Sequence, residues 1–255
     1  MDFIEEIAPA SRAVEWDNVG LQVGSLSREV ATVLLSLDMC PEVIDEAIEI
    51  KADLIITHHP LIFRPLNRID YSTPPGNMIR RLIQNNITHI ACHTNLDRSP
   101  QGTGKALGEL LGLVDIQPFT HDPDDEMDMI ITGRFDPVLT PKKLSALLRE
   151  KLNNPSVRMA GNPDSICRVA VIPGSGGSFL SKLGKDFDLV ITGDISYHDA
   201  LSAKQRGQKI LALGHYVSEK PVMHHLKTLI KNRFPDLTAA ISNREGEPWG
   251  LEVRG

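Results

Sequence analysis

Along nearly the whole chain, short apolar runs alternate with segments whose apolar residues recur every three or four positions, the pattern of a layered α/β protein. Residues 30–38 (VATVLLSLD) predict a buried strand. Residues 41–52 then predict a helix, with Pro41 suited to its first turn. Residues 53–60 predict a second strand, 77–86 a helix, 87–97 a strand running into a loop, and 105–113 a short helix. A similar series begins near Ile166: strand into glycine loop, a helix over SFLSKLGK, a strand at 188–194, a helix over ALSAKQRG, and a strand at 208–216. A long helix from Glu219 follows, its first turn capped by Ser218. Residues 1–16 pattern as an amphipathic helix, and 129–152 as strand, loop capped by Thr140, and helix.

The two series resemble each other. Asp53-Leu-Ile-Ile-Thr57 matches Asp188-Leu-Val-Ile-Thr192, and ITHIACH and QKILALGH each end a later strand in histidine. Internal duplication accounts for this. The predicted fold is therefore α/β, in two strand–helix repeats over 1–120 and 121–255, with the polar stretch 121–128 as the crossing loop.

Composition narrows the classes. The chain has 255 residues and a net charge of -6 with both signs interspersed. No basic stripe offers a footprint for nucleic acid. Its three cysteines, Cys40, Cys92 and Cys167, are widely spaced and read as small buried hydrophobes, giving neither a disulfide framework nor a thiolate zinc site. The N-terminal residues do not resemble a secretory signal, and no apolar run approaches the roughly 18 residues of a membrane span. A cytoplasmic protein is expected.

Chemistry collects after the strands, where open α/β sheets bind ligands. The second strand hands over to His58 and His59, the third to Asn95 and Asp97, and the strand at 208–216 to His215, with Glu219 four residues on. Each alone has a bland reading: a surface histidine, a turn aspartate, a helix-end glutamate. Together, imidazoles and carboxylates after three strands suit zinc, iron, manganese, cobalt or nickel. The set exceeds what one four-coordinate ion needs, and two ions about 3.5–4 Å apart would account for it. His93 and His198 are candidate proton carriers. Gly174, Gly176 and Gly177 in PGSGG are candidates for cradling phosphate through backbone amides, although a plain tight turn fits equally short spacing. His224 and His225 read as solvated helix surface, and Trp16-Asp-Asn-Val-Gly20 has no chemical reading from spacing alone.

Five separated segments carry a resemblance: EWDNVGLQVG at 15–24, ITHHPLIF at 56–63, ACHTNLD at 91–97, TGDISYHDAL at 192–201 and GHYVSEKP at 214–221. In this order they resemble the GTP cyclohydrolase 1 type 2 homologue family. The resemblance implies that the two repeats are intertwined, with mixed sheets, and that a cleft between them holds a dinuclear metal centre, with His58, His59, Asp97, His215 and Glu219 as ligands and Asp97 or Glu219 bridging. It also implies a homohexamer and a metal-dependent hydrolase that opens the imidazole ring of GTP through a metal-activated water. The alternatives are a non-catalytic metal-binding or regulatory protein and a phosphoester hydrolase using the same residues.

Overall fold

A computed structural model describes residues 2–120, 122, 125–152 and 156–249. The elements run α1 (Asp2–Ile7), β1 (Gly20–Val23), β2 (Thr32–Ser36), α2 (Pro41–Glu49), β3 (Leu54–Thr57), α3 (Gly76–Gln84), β4 (Thr88–Ala91) and α4 (Thr94–Asp97). They continue with α5 (Thr103–Leu110), β5 (Val114–Pro118), β6 (Ile131–Leu139), α6 (Pro141–Leu152), β7 (Arg158–Ala160) and β8 (Ile166–Ser175). The last are β9 (Leu189–Asp194), α7 (Tyr197–Gln205), β10 (Ile210–Ala212), α8 (His215–Glu219), α9 (Pro221–Arg233) and β11 (Thr238–Ile241). None of the described helices is long and apolar enough to cross a membrane.

The chain forms two compact units, Met1–Leu96 with Met223–Gly255, and Asp97–Val222. The first holds a sheet ordered β1-β4-β3-β2-β11, in which β2, β3, β4 and β11 are parallel and β1 runs antiparallel along β4. Strand residues alternate between faces. Leu34 and Ile55 pack with Val43, Ile44, Ile79 and Leu82, from helices α2 and α3. Leu34 and Leu82 are fully buried, so truncating either to alanine costs about 2–5 kcal/mol.

The second unit holds a sheet ordered β5-β6-β8-β9-β10-β7, with β8, β9 and β10 parallel and β5, β6 and β7 joined antiparallel. Both faces are covered. Val169, Val171, Leu189, Ile191 and Leu211 share a core with Leu107, Leu144 and Leu148. Ala170, Ile172, Val190 and Ile210 turn to the other face, with Leu180 and Ala203. Strands buried on both faces explain why β8 and β9 read as continuous apolar runs.

The repeat resemblance has a physical counterpart. Each sheet contains a parallel triplet, β2-β3-β4 or β8-β9-β10, flanked by an antiparallel strand beside its third member. Asp53 Oδ2 accepts from the amides of Ala31 and Thr32 at 2.9 and 3.0 Å, and Asp188 Oδ2 accepts from those of Cys167 and Arg168 at 2.9 Å each. The matched aspartates thus tie the middle strand of each triplet to the start of its neighbour.

Several expectations change. The division falls at Asp97 and Met223 and not at 120, because β11 pairs with β2 while α5 and β5 pack into the second sheet. SFLSKLGK is no α-helix: a 3-10 turn, Gly177–Phe179, covers its start, and with Gly184 near its end the short segment does not sustain a helix. The helix predicted from Glu219 starts at Pro221 as α9, and Glu219 closes a separate short helix, α8, whose His215 and Tyr216 fall in the strand predicted over 208–216. Strands β1, β5, β7 and β11 were not predicted. They are three to five residues long, and their mostly half-exposed positions give little apolar signal. Of the expected crossing loop 121–128, positions 121, 123 and 124 lie outside the described residues, and Asp125 caps a 3-10 turn at Glu126–Met129 through Met127 N.

Candidate metal centre

Parallel β2, β3 and β4 place their carboxyl ends on one edge of the first sheet, so Asp38, His58-His59 and His93 emerge side by side. Because β1 is antiparallel to β4, with Gly20 opposite Ala91, the residues just before β1 reach the same edge. This brings in Asp17. The ring centroids of His58, His59 and His93 lie 4.9, 5.1 and 5.5 Å apart, and one ligand atom from each is within 4.8 Å of the others.

Each imidazole is oriented by an oxygen at Nδ1. His58 donates to the carbonyl of Cys92 at 2.8 Å, His59 to Asp38 Oδ1 at 2.8 Å, and His93 to Asp17 Oδ1 at 2.9 Å. Neither a carbonyl nor a carboxylate can donate, so the proton resides on Nδ1 and Nε2 is the nitrogen a metal would take. Oxygen acceptors behind ligating histidines are the usual support of such sites.

The supports are themselves held. The Asp17 side chain is fully covered, and burial opposes its ionisation. Hydrogen bonds from His93 and Thr94 outweigh that effect, and the carboxyl is held at about 2. The turn carrying Asp38 is fixed by Glu245, whose two oxygens accept from the amides of Leu37 and Asp38 at 2.8 Å each. Behind the cluster, His89 is fully buried, and its Nε2 lies 2.8 Å from Thr57 Oγ1, which donates to the His59 carbonyl at 2.7 Å. Desolvation pushes His89 down to about 3.

In the second unit the carboxyl ends of β8, β9 and β10 present Gly174, Asp194 and His215. His215 opens α8 and Glu219 closes it, one turn apart, with His215 Nε2 3.2 Å from Glu219 Oε2. Asp194 Oδ2 accepts from His215 Nδ1 at 3.1 Å, the same support seen for His59 and His93. Glu219 is only 4% exposed. Asp97 ends α4, and Thr103 Oγ1 donates to its Oδ1 at 2.6 Å. Ser218 is no helix cap: its hydroxyl donates to the His215 carbonyl and accepts from Gly174 N at 2.9 Å.

The glycine loop does different work from the one expected. The amide of Gly174 is engaged by Ser218 Oγ and that of Gly176 by Thr192 Oγ1, so these donors are not offered to a phosphate. The glycines instead make room for side chains. A Cβ on Gly174 would lie 2.2 Å from Glu219 Oε1, one on Gly176 2.3 Å from Thr192 Oγ1, and one on Gly177 2.7 Å from Asp199 Oδ2. Two of those neighbours are carboxylates, which would repel an anion.

His198 sits exposed on α7 with its ring 5.4 Å from that of Tyr197. His224 and His225 lie on α9. Cys92 is buried, with its thiol pushed up to about 12 by desolvation, and acts here through its carbonyl. Asp17, Asp38 and Asp194 were not singled out from the sequence. Asp38 and Asp194 do end or directly follow strands, the signal that found the histidines.

A model of the family Duf34/NIF3 (NGG1p interacting factor 3) matches residues 1–248. The chain is 35% identical to a Clostridium perfringens protein named GTP cyclohydrolase 1 type 2 homolog, covering 98% of this chain and 97% of that one. A Streptomyces coelicolor protein of the same name is 32% identical, covering 98% and 92%. Among solved structures, a Staphylococcus aureus hypothetical protein superposes with a TM-score of 0.89 at 32% identity, covering 99% and 97%. Reduced HcgD from Methanocaldococcus jannaschii does so with a TM-score of 0.80 at 28% identity, covering 95% of each chain.

Proposed function

The chain belongs to the Duf34/NIF3 family, and from that premise we propose that it binds two divalent metal ions and uses them for hydrolysis of a nucleotide-like substrate, with GTP ring opening as the reaction to test first. The observation that carries the metal reading is the convergence of His58, His59 and His93, each with Nδ1 committed to an oxygen. Imidazole and carboxylate donors without thiolate suit zinc, iron, manganese, cobalt or nickel, and this donor set fits a reactive centre better than a structural zinc site.

In this reading His58, His59, Asp97, His215 and Glu219 hold the ions. A divalent ion so held polarises substrate oxygen and lowers the pKa of water towards neutrality. The chain's own groups do the rest. Asp38, Asp194 and the Cys92 carbonyl keep Nε2 of His59, His215 and His58 forward. His93 is assigned the proton: its Nδ1–H faces an ionised, covered Asp17, which compensates the positive charge when Nε2 takes a proton. His198 has no part in this scheme. The homohexamer that the family resemblance implies belongs to the same proposal, and a monomer in light scattering would remove it.

The test is metal content and formate release from GTP for the wild type, His59→Ala, Glu219→Ala and His93→Ala. Expected are about two ions per chain and formate in the wild type, loss of both metal and formate in the first two variants, and metal without formate in His93→Ala. Metal binding without formate in the wild type discards the reaction and leaves a non-catalytic metal protein. Absence of stoichiometric metal discards the centre.

A further inference from the structure

The motif that had no chemical reading, Trp16-Asp-Asn-Val-Gly20, builds a wall beside the histidine cluster. Trp16 is 61% exposed and Phe63 43% exposed, large apolar rings left in water at the carboxyl edge of the first sheet. Their centroids lie 5.9 Å apart, and both rings contact His93, at 6.2 and 6.4 Å. The His93 ring in turn contacts His58 and His59.

This exposure is built in. Asn18 Nδ2 donates to the carbonyl of Ile62, and Gln22 Oε1 accepts from the amide of Ile62 at 3.1 Å. Gln22 Nε2 also donates to the backbone carbonyl of Asn18 at 2.9 Å, which ties the Gln22 side chain to the main chain that carries Asn18. The peptide next to Phe63 is therefore clamped from both sides by the segment that carries Trp16. On the other side, Asp17 fastens Trp16 to the turn at His93-Thr94 through His93 Nδ1 and Thr94 N. A backbone fastened on both sides lowers the ordering cost of binding at the rings it carries.

We propose that Trp16 and Phe63 bind the planar heteroaromatic ring of the substrate, laying it against His93 at the metal centre. This rests on the reading of the cluster as a metal site. A flat π-system is the occupant that fits. The wall is two side chains wide, far short of the roughly 800 Å² per partner of a stable protein interface. Its inner edge is an imidazole of the cluster, so a ring resting on it is delivered to the chemistry. Stacking on aromatic side chains tolerates any base, because every base has a π-face.

Trp16 and Trp249 are the chain's two tryptophans, so Trp249→Phe leaves Trp16 as the only indole reporter. Guanosine is titrated into this protein, metal-stripped and zinc-loaded, with ribose as the non-aromatic control. Saturable quenching by guanosine, none by ribose, and roughly tenfold weaker binding in Phe63→Ala are expected, with zinc content unchanged. Phe63→Leu, which keeps bulk and loses the π-face, shows the same weakening should the alanine variant fold poorly. Three results overturn the proposal: no saturable quenching, affinity in both Phe63 variants equal to that of the parent Trp249→Phe protein, or a Phe63 effect that appears only with a change of oligomeric state. Zinc bound without quenching removes the wall and keeps the metal site. Quenching without zinc binding removes the metal reading and the assignment of the ring to a metal substrate, leaving only an aromatic ring site.

Discussion

Gly174→Ala offers a direct perturbation of the carboxylate that α8 supplies. Gly174 has φ +64, and a Cβ there would lie 2.2 Å from Glu219 Oε1 and 3.6 Å from His215 Cε1. Real Cβ atoms do not approach an oxygen so closely, so the carboxylate must move. Glu219 is 4% exposed, so its carboxylate starts from a closely surrounded position. Two effects then separate. The left-handed backbone costs about 1–2 kcal/mol for any L side chain, or about 2–8 °C in Tm for a chain of this size. Displacing Glu219 acts on the metal, and loss of ligand positioning lowers affinity about 10–100-fold. Gly207→Ala supplies the control, since its φ of +77 carries the same backbone strain with nothing within 4 Å of the added Cβ. Zinc titration calorimetry and thermal unfolding on both variants read the two effects. Both should lose stability, and only Gly174→Ala should lose zinc affinity. Equal zinc affinity in the two variants would refute the placement of Glu219 as a ligand shaped by Gly174.

Two further predictions concern the supports of the cluster. Removing the carboxylate behind a histidine, in Asp38→Ala or Asp194→Ala, should weaken zinc binding about 10–100-fold with little change in circular dichroism, and zinc binding equal to wild type in either would show that its Nδ1 contact does not orient a ligand. His89 makes stability pH-dependent: its folded pKa of about 3 lies below the ordinary 6.5, so between those values the unfolded chain takes up a proton that the folded one refuses. Its contribution is intact above pH 6.5 and is lost on acidification, at up to about 1.4 kcal/mol per pH unit. Urea unfolding from neutral pH to about pH 5 should show a shallower loss in His89→Phe than in wild type, and identical slopes would exclude His89 as the cause.

Much of this was legible in the sequence because it is local. The apolar runs of β2, β3, β8 and β9 mark their own strands, since residues buried on both sides of a sheet must be apolar. The strand-end rule picks out His58 and His59 after β3 and His215 after β10, because parallel strands gather their carboxyl ends on one edge of their own sheet wherever the chain runs between them. The matched Asp53 and Asp188 report duplication, and each does the same hydrogen-bonding work in its own sheet.

The tertiary structure alone decided the rest, for a common reason: the partners come from different strands or loops, with no periodicity to announce them. Asp17 meets His93 only because β1 runs back along β4, which closes a separation of 76 residues. Glu245 steadies the Asp38 turn from the far end of the chain, because β11 returns to pair with β2. The PGSGG segment leaves a plain tight turn and a phosphate cradle both open in one dimension, while in three the amides of Gly174 and Gly176 are taken by Ser218 and Thr192 and the missing side chains make room for Glu219 and Asp199. Which residue types stand at the strand ends is written in the sequence; which atom each presents, and what holds that atom in place, depends on contacts that exist only once the sheets have formed.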